Sequence, residues 1–303
     1  MDTRRHPRRR DEPVCVLPVR ALVGECPRWH PAEERLYWVD IYEPSLNCFD
    51  PATGDNRKWA MPERIGCFAF CRGGGLIAGM QSGIAMIDLA ADGRSTVRRV
   101  FDFEPDNPGT RFNDGRCDPL GRFWAGTVIE TMDRRVGSLF RYDPDGRCTR
   151  MVDGLICSNG LGFSPDGRTM YHSDSRQDYV WAWDMDAQGE ISNQRVFLGI
   201  DIQEGRPDGA AVDAEGHYWL CHVGGWHIAR YSPDGIIDRV IGLPVQRPTM
   251  CAFGGPGLGM LYVTSATHPL PEAALRKQPL AGGLFAIDVG VPGLPEPYFG
   301  SPE

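Results

Sequence analysis

Most of the signals that assign an enzyme class at a glance are missing from this sequence. There is no Gly-x-Ser-x-Gly elbow and no phosphate-cradling glycine loop, so serine hydrolysis and nucleotide binding have no motif behind them. The ten cysteines are scattered without a Cys-x-x-Cys pair or a compact framework, which argues against a thiolate zinc site and a disulfide scaffold. No apolar run approaches the length of a membrane span, so a soluble protein with no membrane partner is expected. Positive charge is also in deficit. A net charge of −8 disfavours nucleic acid, because phosphate binding depends on Lys and Arg displacing counterions. The local exception is the run MDTRRHPRRR over residues 1–10. It reads as a solvated terminus, and we expect a disordered basic tail over residues 1–13 ahead of a single domain over residues 14–303. The apolar stretch that a secretory signal needs does not follow it, and together with the cysteine usage this gives a cytoplasmic expectation. Helical periodicity is weak throughout.

What is present is a repeat. A short β-prone stretch recurs six times: LYWVD at 36–40, LIAG at 76–79, FWAG at 123–126, MYHSD at 170–174, YWLC at 218–221 and LYVTS at 261–265. Anchored on Tyr37, Ile77, Phe123, Met170, Tyr218 and Leu261, the intervals are 40, 46, 47, 48 and 43 residues. That is the length of a four-stranded propeller blade. A second strand follows each copy and leads into an Asp/Gly turn such as DPATG, DPDG or SPDG, which supplies hairpin geometry. The expected fold is all-β, a six-bladed propeller of four-stranded antiparallel blades around a central channel. Ring closure protects the sheet edges that an open stack of β-units would leave bare.

In such a ring, single polar residues from distant blades meet at one mouth. Four segments carry them at one phase of the repeat: GECP at 24–27, RFNDG at 111–115, SNGL at 158–161 and PDG at 207–209. Asn-Gly and Asp-Gly are also ordinary turn dipeptides; their common phase across blades is what favours a site. Glu25, Asn159 and Asp208 offer oxygen donors that suit a hard divalent cation, with Ca²⁺, Zn²⁺, Mn²⁺ and Fe²⁺ all admissible. Three protein ligands leave room for water and substrate, as a catalytic ion requires.

The segments LVGECPRW, RFNDGRCDPLGRFWAGT, SNGLGFSPDGRTMYHSDS, RPDGAAVDAEGHYWL and CAFGGPGLGMLYVTSA, in this order, resemble the successive signatures of the senescence-marker-protein/gluconolactonase family, also called regucalcins. The resemblance runs from about Leu17 to Ile287. It implies Glu25, Asn159 and Asp208 as metal ligands, and Arg111 and Asn113 as substrate-binding residues. Plain alignment puts Thr131 where the family has a substrate-contact glutamate; the neighbouring Glu130 is carried as a substrate-binding candidate, as is Asp114. Cys26 replaces a small residue and has a packing role or one in tuning the site.

The implied activity is metal-dependent hydrolysis of a sugar-acid lactone to the aldonic acid in carbohydrate catabolism. Asp208 is the expected general base, accepting a proton from the attacking water. His172 and His222 stand on strands near the channel as possible substrate contacts. The partner is a small sugar lactone, and the chain is expected to be a monomer or weak homodimer. The alternatives are a metal-dependent esterase or organophosphate hydrolase, and a non-enzymatic calcium-binding propeller.

Overall fold

The computed structural model describes residues 10–102, 109–201 and 203–300. Among these, twenty-four strands form six antiparallel four-stranded sheets arranged as blades of a propeller. The innermost strands, in order, are Gly24–His30, Ile65–Phe70, Thr110–Cys117, Ser158–Phe163, Arg206–Val212 and Pro248–Gly254. Each touches the next, and the last touches the first, so they wall a common channel. Within each of the first five blades the chain steps outward strand by strand to an edge exposed at many positions, such as Ser95–Asp102 or Ile191–Gly199.

The repeated stretches found in the sequence are the second strands, fully buried except at their first or last residues. Tryptophans from two of them explain the recurring aspartate of the turns. Trp124 donates its indole N–H to Asp118 at 2.8 Å, and Trp219 donates to Asp213 at 2.9 Å. Each aspartate also accepts backbone N–H groups of its own tight turn, at Leu120 and Arg122 in one case and Glu215 and His217 in the other. One carboxylate thus closes a turn and satisfies a buried indole that would otherwise lose its hydrogen bond.

The sixth blade is composite. Its outermost strand is Val14–Leu17, paired with Leu284–Asp288, so the two ends of the chain close the ring together. Of the expected tail over residues 1–13, residues 1–9 lie outside the described residues. Asp11 is tied to the ring: its N–H donates to the Asp288 carbonyl at 2.8 Å and its carboxylate meets Arg239 at 3.0 Å.

Candidate active site

Every innermost strand carries a register irregularity near its start, where it breaks step with its neighbour. A bulge re-aims a side chain that the pleat would otherwise point into a blade interface. Four residues before Trp29, Phe70, Cys117, Phe163, Val212 and Phe253, each opposite the start of a second strand, stand Glu25, Gly66, Asn113, Asn159, Asp208 and Thr249. Five of these six, all but Gly66, line one cavity of about 550 Å³ at a mouth of the channel. The entry to two of the bulges is held by equivalent aspartates. Asp40 accepts the N–H groups of Leu22 and Val23, and Asp174 accepts those of Ile156 and Cys157.

Glu25 and Asp208 are buried carboxylates. Burial pushes the Glu25 carboxyl well above its ordinary range, with the charges of Asp208 and Asp114 adding to it. Asp208 is raised to about 8, chiefly by burial, against a partial pull downward from Arg247. Glu25 Oε2 accepts the N–H of Cys26 at 2.8 Å. Asn159 Nδ2 donates to Ser175 Oγ at 2.7 Å, and that hydroxyl donates to the Pro207 carbonyl at 2.6 Å, which ties blades four and five together beside the site. Asn159 Oδ1 accepts from Asn113 at 3.1 Å and keeps a second lone pair. Among the described residues no group of three His, Cys, Asp or Glu side chains forms a metal cluster; the set here is two carboxylates and an amide. Two like charges held in a dry wall favour protonation or a cation, and oxygen donors select a hard one. The residues therefore fit a divalent ion.

Arg111 and Asn113 sit beside this set. Arg111 Nη1 donates to Asn113 Oδ1 at 2.9 Å and to the Phe112 carbonyl at 3.0 Å, while Asn113 Nδ2 donates to the Ser158 carbonyl at 3.0 Å. Glu130 is in the cavity wall and accepts from Arg111 Nε, from Arg64 at 2.8 Å and from the Tyr42 hydroxyl at 3.3 Å. Burial would raise the Glu130 carboxyl, but Arg111 and Arg64 outweigh it and hold it below the usual carboxylate range.

Three expectations shift in place. Asp114 is not part of the cavity wall: it follows Asn113 into the strand, is buried, and accepts the Leu161 N–H at 2.9 Å. His172 lies inside its blade, fully buried, with Nε2 against Ser158 Oγ at 2.7 Å. His222 faces another cavity and meets the Tyr231 hydroxyl at 3.0 Å. His268 lines the cavity instead, 4.8 Å ring to ring from Tyr42. Cys26 packs against Phe68, accepting its N–H at 3.3 Å, and burial pushes the thiol up to about 11.

Apart from Arg111, sequence reasoning passed over a second tier of residues. Two positions before the six residues above stand Val23, Arg64, Arg111, Cys157, Arg206 and Arg247. Arg206 and Arg247 line the cavity, as does Arg176 from the loop after Thr169–Asp174. Counting the same phase through all six blades finds them.

The family profile described as "SMP-30/Gluconolactonase/LRE-like region" matches residues 23–267. The chain is 40% identical to "6-deoxy-6-sulfogluconolactonase" of Pseudomonas putida, over 94% of this chain and 97% of that one. It is 35% identical to "L-arabinolactonase" of Azospirillum brasilense, with 94% of each chain covered. Its structure superposes on a "calcium-binding protein, regucalcin" from Agrobacterium tumefaciens with a TM-score of 0.89 and 30% identity, covering 94% of this chain and 96% of that one.

Proposed function

The chain belongs to the SMP-30/gluconolactonase/LRE-like family, and from that premise we propose that it opens a sugar-acid lactone with one divalent cation held by Glu25, Asn159 and Asp208. The enzyme class is plain: it is a lactonase. The observation that carries the metal-dependent reading is that oxygen donors from three separate blades, at one strand phase, face one cavity. The calcium-binding description of the regucalcin neighbour supports a hard divalent ion. The ten free cysteines support a reducing cytoplasm, and no described helix is long and apolar enough to cross a membrane.

A divalent cation here supplies Lewis-acid polarisation of the lactone carbonyl, worth several kcal/mol at the transition state. The chain's own groups do the rest. Asp208 takes the proton of the attacking water, a contribution of roughly 10²- to 10⁴-fold. Arg111 donates to substrate oxygens and keeps the ring in register, with Asn113 beside it in the cavity wall, and their mutual hydrogen bond sets that geometry in advance. Glu130 holds the Arg111 guanidinium in place from behind. The apolar side chains of Val23, Ile41 and Val223 help to limit bulk water in the cavity.

The test is lactone hydrolysis on metal-stripped protein reconstituted with Ca²⁺, Zn²⁺, Mn²⁺ or Fe²⁺ singly. Activity should vanish with the ion and return with one or more of them. Asp208→Ala should lose on the order of 10³-fold in kcat. Undiminished turnover after complete chelation would refute the metal-dependent reading.

A further inference from the structure

We propose that the lactone carries a second, anionic oxyanion group, a sulfonate, phosphate or carboxylate remote from the ester, and that Arg206 and Arg247 determine this specificity. The inference rests on the lactonase reading and deepens it.

Charge in the cavity wall is unbalanced. Its acidic members are Glu25, Glu130 and Asp208, against Arg111, Arg176, Arg206 and Arg247. Glu130 is already engaged by two guanidiniums, those of Arg64 and Arg111. A divalent ion neutralises Glu25 and Asp208. The remaining arginines then face the cavity without a counter-charge, and among the described residues Arg176, Arg206 and Arg247 make no salt bridge. The nearby Glu204 belongs to the wall of another cavity.

Hydrogen bonding tells the same story. Arg206 donates once, to the Ser175 carbonyl at a long 3.3 Å. Arg247 is half-buried, and its Nε, which is itself buried, has no partner. Leaving guanidinium N–H groups dry and unpaired is unfavourable unless a ligand supplies acceptors. Both residues stand at the same strand phase in adjacent blades and line the same cavity. Planar forks match the paired oxygens of sulfonate, phosphate or carboxylate, whereas a neutral sugar's hydroxyls need no net positive charge. The carboxylate created by hydrolysis is common to neutral and anionic lactones, so a preference between those substrates separates its recognition from that of a second anionic group.

A competing role for Arg247 is simple counter-charge to Asp208, which it does influence. Kinetics separates the two. The metal-loaded enzyme is assayed on gluconolactone and on its 6-sulfonate, 6-phosphate and 6-carboxylate analogues, with Arg206→Met, Arg247→Met and Arg247→Lys variants checked for an unchanged melting curve. We expect at least one anionic analogue to exceed the neutral lactone by roughly ten- to a hundred-fold in kcat/KM. The Met variants should lose that preference through KM, and Arg247→Lys should recover part of it. Which analogue responds identifies the oxyanion. Preference for the neutral lactone, or equal losses on neutral and anionic substrates in both Met variants, overturns the proposal. Absence of hydrolysis of any lactone would instead count against the lactonase reading itself.

Discussion

At the scale of single residues, the site couples proton, cation and stability. In the cation-free protein Asp208 binds its proton with a pKa of about 8, against an ordinary 3.8. The folded state therefore holds that proton more tightly than the unfolded chain. The corresponding stability is complete below pH ~4 and is lost as the pH rises towards 8. A divalent ion replaces the proton, so its stabilisation should grow over the same window. Differential scanning calorimetry of chelated protein should show melting temperature falling from pH 5 to pH 8, and added ion should raise it by on the order of 5 °C more at pH 8. Equal gains at both pH values would rule out this linkage. Glu25, Asn159 and Asp208 were legible in the sequence as a convergent set because polar residues stood at matching phases of the repeat. Their neighbours were less so. Phase says which mouth a strand begins at but not how deep a side chain lies, which is why Asp114, His172 and His222 fall outside the cavity while Arg206 and Arg247 fall inside it.

At the scale of elements, the bulged inner strand is the unit that makes a site out of a sheet. The second and third strands of each blade were readable because they are short, apolar and punctuated by Asp/Gly turns. The inner strands were not marked out as strands: their bulges interrupt the two-residue alternation, and Asn159-Gly160 and Asp208-Gly209 are also ordinary turn dipeptides. Outer strands such as Ser95–Asp102 are too exposed to leave a clear pattern. In the second blade the ring position is Gly66, and the reason is steric. A Cβ there would lie 2.3 Å from the Phe112 carbonyl oxygen and 2.7 Å from that of Asn113. Gly66→Ala must therefore push back the strand that carries Arg111 and Asn113. We expect a loss of about 1–3 kcal/mol in urea denaturation together with a raised KM for lactone. Gly73→Ala is the matched control, since nothing stands within 4 Å of its added Cβ. Wild-type KM and stability in Gly66→Ala would show that the third blade's strand is not positioned by this contact.

At the scale of the whole molecule, the two mouths of the channel are different. One holds the cavity of the candidate active site; at the other, arginines and the C-terminal segment line a second cavity of about 520 Å³. Arg28 and Arg116 occupy one phase of the inner strands, where the other blades have Ala69, Gly162, Ala211 and Ala252, so their guanidiniums take the space that four small residues leave. Arg28 donates to the Gly115 carbonyl at 2.8 Å, and Arg116 donates to that of Ala210 at 2.8 Å. Glu296 lies 3.7 Å from both arginines, and the segment that bears it is stitched down where Phe299 donates to the Phe70 carbonyl at 2.8 Å and Gly300 to that of Gly121 at 3.0 Å. Burial would raise the Glu296 carboxyl, but the two arginines hold it below its usual range, so it joins Asp114 as an anion beside two buried cations. Glu296→Gln removes that charge and should cost about 3 kcal/mol of stability, read from the urea midpoint. Arg28 and Asp114 both act on the Glu25 carboxyl, but Glu296 is not among the charges that chiefly shift Glu25 or Asp208, and groups that do not act directly on one another are nearly independent. Lactone kcat and ion affinity in the same variant should accordingly stay within about twofold of the parent at temperatures where it is folded. A large fall in ion affinity there would mean that the ring transmits strain along its axis, and that stability and catalysis are not divided between its two ends.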